Sequence, residues 1–193
     1  MKVFSREGFH QAKMDQVATE AGVGKGTVYL YFSSKEELLE YIFMTVTRRF
    51  LDKIRAIAAE RGTAREKLYQ IFEHALAISD QNRDSCSFLM EGPTGMSEDF
   101  KKWLVSTRDT VLEEIEGLIR EGVRTGELSQ KHPKLMAHVI IGAINSLVAA
   151  RLWDGSGVAL PETTRDGTWP SSVASMAVEV LWPSLAGDGT SGT

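Results

Sequence analysis

From Gly24 to Lys35 the chain reads Gly-Lys-Gly-Thr-Val-Tyr-Leu-Tyr-Phe-Ser-Ser-Lys. Ammonium groups, hydroxyls and phenols follow one another there with no carboxylate between them. Side chains of these types make and break no bonds without an activating base. They are the donors and apolar edges that meet phosphate oxygens and bases in a nucleic-acid groove. Gly26 would let the backbone come close to such a partner. Signatures of catalysis are poor by comparison. The four histidines, His10, His74, His132 and His138, are scattered. The one Glu-x-x-His, Glu7 to His10, crosses Gly8 and is not on one helix face. There is no nucleophile motif and no phosphate loop. Cys86, the single cysteine, has no second thiol or basic neighbour to activate it. No catalytic residue, metal or cofactor is expected.

These groups need a scaffold, and the flanking residues supply one. Residues 14–21 form a short helix with Val17, Ala18 and Ala21 on an apolar face. Gly22 ends it in a left-handed cap, and Val23 plugs the turn. Residues 25–32 form a second helix, with Val28, Tyr31 and Phe32 inward. That is a helix-turn-helix, whose second helix enters the DNA major groove. Ser34 and Glu37 make a capping box for a third helix. It runs to about residue 60 on Leu38, Leu39, Ile42, Phe43, Val46, Phe50, Ile54 and Ile57. At that length it is a rod of about 39 Å, fit to tie a DNA-reading head to a body.

This stretch resembles the TetR family of bacterial transcriptional regulators. The resemblance is carried by Gly8-Phe9, Val17-Ala18, Ala21-Gly22-Val23, Lys25-Gly26-Thr27, Tyr29, Tyr31-Phe32 and Lys35-Glu36-Glu37-Leu38. It covers about residues 3–45, with an echo at 122–128. The family usually has Thr or Ser where this chain has Ala12, and a polar residue where it has Gly24. The family's first helix begins well before Lys2; here only its last turn, residues 2–7, is expected. The resemblance implies a ligand-responsive DNA-binding repressor with no enzymatic activity. It further implies a homodimer on a partly palindromic double-stranded operator, and a four-helix dimer interface built from the last two helices of each subunit.

Composition bounds the rest. The chain has 193 residues, 42% hydrophobic and 25% charged, with a net charge of −4. The first 50 residues carry seven Lys/Arg against six Asp/Glu, so the positive bias is local and modest. One cysteine and no apolar signal core point to the cytoplasm. No apolar run reaches the roughly 18 residues of a membrane span, so no membrane partner is expected. Strand patterns and repeats are absent. Helices are expected at residues 64–79, 97–125, 133–153 and 173–185, with Thr63 and Ser97 as caps, Pro133 opening the third and Pro170 or Ser171 starting the last. Residues 85–91 form a short apolar piece before a break at 92–95, and residues 154–168 form a loop. The fold class is therefore all-α: a three-helix head over residues 1–46, a bundle of about six helices over 47–186 for ligand binding and dimerisation, and a tail at 187–193.

Residues 137–150 are apolar on nearly every face, which requires burial on several sides. Ile141, Gly142, Ile144 and Ala149, with Val173, Ala177 and Val180 from the last helix, are the candidate dimer interface. For DNA the candidates are Lys25, Gly26, Thr27, Tyr29, Leu30, Tyr31 and Lys35. Lys35 sits in a helix first turn, where the macrodipole disfavours a cation and a phosphate would explain it. Phe72, Leu76, Phe88, Met90, Trp103 and Val111, with the polar Thr107, His138 and Asn145, could line a cavity for a small apolar or amphipathic molecule; Asn145 could instead face its symmetry mate across the dimer. His74 is placed at the surface. Two other classes fit an all-helical chain. A carrier or enzyme would need convergent ionisable groups inside the bundle. An interaction module would have a head that no longer binds DNA.

Overall fold

The computed structural model describes residues 2–83, 86, 96–129, 131–152 and 169–186. Every regular element among them is helical: α1 (Lys2–Glu7), α2 (Met14–Glu20), α3 (Lys25–Tyr31), α4 (Lys35–Ala59), α5 (Ala64–Gln81), α6 (Glu98–Thr125), α7 (Pro133–Leu152) and α8 (Trp169–Ala186). The expected breaks at 92–95 and 154–168, the 85–91 piece apart from Cys86, and the tail lie outside the described residues.

Local caps fix most boundaries. Glu37 N–H donates to Ser34 Oγ at 3.1 Å, and the Glu37 carboxylate accepts from the Ser33 amide at 2.7 Å. Bonding from the Ser33 hydroxyl and amide holds the Glu37 carboxyl below its ordinary range. Thr63 and Glu66 bond reciprocally at the start of α5. Each such cap is worth about 1 kcal/mol. At α8 the helix begins at Trp169, just before the expected opening at Pro170 or Ser171. The Trp169 indole is 1% exposed and Pro170 sits in the first turn, where a missing N–H costs nothing.

The chain divides into two compact units, Met1–Arg49 with Gln81–Val105 and Phe50–Asp80 with Ser106–Thr193. In the first, Val3, Phe4, Met14, Ala18, Val28, Leu39 and Phe43 pack with Met96 and Phe100. The Phe43 and Phe100 rings lie 6.0 Å apart, and Trp103 stacks on Phe100 at 5.5 Å. The Glu40 carboxylate of α4 accepts from the Ser97 amide at 2.6 Å and its hydroxyl at 3.0 Å, while Ser97 Oγ accepts from Phe100 N–H. The start of α6 is thereby capped from α4.

In the second unit Ile54, Ile57, Leu68, Ile71, Phe72, Leu76, Ile115, Ile119, Ala137 and Ile140 form the centre of the core. Arg55 of α4 pairs with Glu114 of α6 at 2.6 Å. The turn after α6 is heavily used. Glu127 accepts from the Ala64 amide at 2.6 Å, capping α5. Leu128 is buried against Gly122, and the Ser129 amide and hydroxyl donate to the Leu185 and Ala186 carbonyls at the end of α8. A Cβ on Gly122 would come within 2.7 Å of Leu128 Cδ1, so any larger residue there forces Leu128 to shift.

Helix α7 departs from expectation. Its 20 residues are long and apolar enough, by length and composition, to cross a membrane. Asn145 and Ser146 break its apolar run, but the helix as a whole stays strongly apolar. Nor is α7 buried on all sides: Leu135 and Val139 are exposed, as is Gly142.

Candidate nucleic-acid interface

Helix α2 ends on Gly22 at φ +68°. The Gly22 amide donates to Thr19 O at 3.1 Å and the Val23 amide to Ala18 O at 3.0 Å, the paired bonds of a Schellman end. Gly24 then caps α3 with its backbone alone: Thr27 N–H donates to Gly24 O at 2.9 Å, and no side chain helps. At the start of α2, where Ala12 is buried, the Gln16 carboxamide accepts from the Lys13 amide at 2.8 Å. Two apolar details differ from the sequence expectation. Ala21 is exposed and Val23 is 42% exposed, so the turn is held by backbone bonds more than by an apolar plug.

Val28 is the one buried side chain of α3. Phe32, four residues on, packs against the same core, with Tyr41 at 5.4 Å. An i, i+4 pair fixes one helix face and sends the rest outward. Lys25, Gly26 and Thr27 are exposed, Tyr29 is 45% exposed, Leu30 83% and Tyr31 74%. Tyr31 is thus not inward: in so short a helix the three-residue step from Val28 already leaves the core. Nothing lies within 4 Å of a Cβ built on Gly26.

The cations are not free. Lys25 Nζ pairs with Asp15 Oδ2 of α2 at 2.8 Å, both exposed, and lies 5.8 Å from the Tyr29 ring centre. The hydrogen bond and charge of Asp15 raise the Lys25 pKa. Lys35 Nζ donates to the Phe9 and His10 carbonyls at 3.0 and 2.8 Å and lies 4.8 Å from the Phe9 ring centre. These carbonyls account for a lysine at a helix start without any phosphate. Asp15 and the Phe9–His10 carbonyls were missed, because partners 10 to 26 positions apart leave no periodic trace.

The expected ligand residues are not brought into one place. Phe72 and Leu76 are wholly buried in the second unit, with Val111 packed on that core and Thr107 half-buried. Trp103 belongs to the first unit. His138 is exposed and lines no inner face; Asn145 is exposed too, which leaves only its alternative place across a dimer. Phe88 and Met90 lie outside the described residues. His138 instead edges a shallow basin with Arg120, His132 and Leu135. A cleft of about 690 Å³ is lined by α5 residues including Arg65, Tyr69, Gln70 and Glu73, and by Ser175 and Val178 of α8. Gln70 Oε1 and His74 Nε2, one turn apart on α5, are buried without a hydrogen-bond partner. His74 is half-buried and stacked on Phe50 at 5.7 Å rather than at the surface; burial, then the charge of Lys53, lowers its pKa. Burial likewise pushes the Cys86 thiol up to about 11. Among the described residues no cluster of three His, Cys, Asp or Glu could hold a metal.

Of the candidate dimer residues, Ile144 and Val173 are core of the second unit, a correction. Ile141 and Ala177 pack partly on it, and Ala149 is half-buried. Gly142 has nothing within 4 Å of its Cβ position, and Val180 is 77% exposed.

Comparison with known proteins bears on this geometry. Residues 1–42 match the family model described as bacterial regulatory proteins, tetR family, and residues 61–149 match a tetracyclin repressor-like C-terminal domain. The fatty acid metabolism regulator protein of Bacillus subtilis is 26% identical over 151 residues, covering 77% of each chain. The uncharacterised regulator YhgD of the same organism is 24% identical, covering 76% of this chain and 77% of its own. Among solved structures, Bacillus subtilis FadR in complex with stearoyl-CoA superposes with a TM-score of 0.73 at 21% identity, over 95% of this chain and 94% of that one. With a helix-turn-helix whose α3 stands open and both family models matched in order, the chain belongs to the TetR family of transcriptional regulators.

Proposed function

We propose that the chain is a homodimeric repressor that holds a partly palindromic operator and is released by a small amphipathic molecule of the long-chain fatty acyl class. The observation that carries the DNA half is α3: Thr27, Tyr29, Leu30 and Tyr31 stand in solvent on a helix fixed to its own core by Val28 and Phe32. Tyrosine and threonine hydroxyls suit phosphates, and the weak local charge suits modest non-specific affinity. TetR-family regulators bind operator DNA as dimers. The exposed ridge of Leu135, Val139 and Gly142 on α7, with Val180 on α8, supports these as the surfaces a second copy covers. A symmetric pair would set the two α3 helices about 34 Å apart, one DNA turn. We assign residues 1–46 to DNA binding and 47–186 to ligand binding and dimerisation.

The ligand class comes from the relatives named above. What supports it in this chain is the pair of unpartnered polar atoms on α5, Gln70 Oε1 and His74 Nε2, with Gln70 lining the cleft between α5 and α8. Unpaired buried polar atoms are costly, and a guest's polar group would satisfy them. Binding to one arrangement of the dimer shifts the population away from the DNA-binding one. The test has two parts. Duplexes enriched from a random library by the protein should bind it as a dimer in gel shifts. Palmitoyl- or stearoyl-CoA should raise the melting temperature and release that duplex. Release without any effect on melting would separate the ligand from the folded state and defeat the ligand half.

A further inference from the structure

The side chains that α3 holds out are a selective set. Direct readout of guanine needs Arg or Lys on O6 and N7, and readout of adenine needs Asn or Gln on N6 and N7. The exposed residues of α3 are Lys25, Gly26, Thr27, Tyr29, Leu30 and Tyr31. No Arg, Asn or Gln is among them, and the one lysine is engaged by Asp15 at 2.8 Å. The two phenols and the Thr27 hydroxyl make no hydrogen bond to another described side chain and carry no base-specific pattern of their own. That leaves an aliphatic group. Leu30 is 83% exposed, the most exposed large apolar side chain among the described residues. It stands two positions from Val28, on the side of α3 opposite the core contact. Nothing in the fold is gained by a leucine there: it buries almost no surface in the protein.

One major-groove feature matches it. The C5-methyl of thymine is the only apolar group a base edge offers in that groove. Resting on the proposed DNA-binding role of α3, we propose that this chain reads its operator chiefly through thymine methyl groups, with Leu30 as the specificity-determining contact and the Thr27 γ-methyl beside it. Lys25, in the first turn and paired in solvent with Asp15, is assigned to a phosphate and not to a guanine. Positions facing Leu30 are then A·T pairs with thymine on the contacted strand, one in each half-site. A methyl group removed from water is worth about a fourfold change in affinity, hence about fifteenfold over two half-sites.

The experiment uses the full chain. Duplexes enriched from a random library are resynthesised with deoxyuridine in place of thymidine, which deletes only the C5-methyl. Binding is measured by fluorescence anisotropy at one fixed salt concentration. The expected result is a loss of about fifteenfold on uridine duplexes, with non-specific affinity unchanged. L30A should bind the thymidine and uridine duplexes alike, with an unchanged melting temperature because Leu30 packs against nothing. Equal binding of both duplexes by the parent protein overturns the proposal, as does full discrimination retained in L30A. If no duplex is enriched above background, the DNA-binding role of α3 falls and this inference with it. If duplexes are enriched and uridine is tolerated, only the methyl readout falls.

Discussion

Helices α3 and α7 both hold apolar side chains away from any core, and in opposite styles. On α3 the apolar groups are spaced among hydroxyls and a lysine: Thr27, Tyr29, Leu30 and Tyr31 around Lys25. On α7, Leu135, Val139 and Gly142 form a line at three-four spacing that ends in a notch with nothing near it. The first pattern gives each apolar atom a polar neighbour, which suits a groove walled by phosphates. The second excludes hydrogen bonding and admits close approach of another helix. An exposed leucine is therefore informative through its neighbours more than through its own exposure.

The comparison breaks most visibly at the glycines. Gly142→Arg should leave each subunit folded, since its Cβ position is open, yet abolish the dimer. Sedimentation at micromolar concentration should give half the mass, and operator affinity should fall with it. A dimer that survives the arginine removes α7 from the interface. Gly122→Ala is the opposite case. Its methyl meets Leu128 at 2.7 Å and Ala64 at 3.2 Å. Overpacking of this kind costs about 1–3 kcal/mol, or several degrees of melting temperature, in a monomer or a dimer alike. An unchanged thermal midpoint would mean that the turn after α6 yields easily.

The two head lysines sharpen the α3 side. Lys25→Met should lower the salt slope of DNA binding by about one, as loss of a phosphate contact does, because the ammonium can exchange Asp15 for DNA. Lys35→Met should leave that slope alone and cost about 1 kcal/mol of stability, since its partners are the Phe9 and His10 carbonyls. Titrating both variants with salt decides; a slope change confined to Lys35 reverses the assignment. The smallest effect concerns His74. Its folded pKa lies below the ordinary 6.5, so the unfolded chain binds the proton more readily. Stability from this site is complete above about pH 6.5 and is lost as pH falls through the folded value. His74→Phe should flatten that part of the pH–melting curve, and an identical curve would show the imidazole to be solvated.

What could be read in the sequence was local. Ser34 with Glu37, Thr63 and Gly22 each act within a few residues, and they place the helix ends that the structure has. The open face of α3 was legible from Val28 and Phe32, although Tyr31 was assigned to the wrong side. Contacts over long separations were not legible: Lys35 on the Phe9 carbonyl, Glu40 on Ser97. The same limit scattered the ligand set. Helical spacing puts Trp103 and Thr107 on one face of α6, but packing gives Trp103 to the cluster of Phe43 and Phe100. His138 and Asn145 interrupt an apolar helix because they stand on its exposed face, while Ala137, Ile140 and Ile144 hold the buried one.

The turn from Gly126 to Ser129 carries a last consequence. Its carboxylate closes the start of α5, its leucine fills the space over Gly122, and its serine closes the end of α8. Surface turns are ordinarily where a chain tolerates cutting and insertion. This one fastens three helices with four residues, so a peptide tag placed here, or new termini opened here, would undo all three at once. A protease should leave it whole even though Gly126 and Glu127 are exposed.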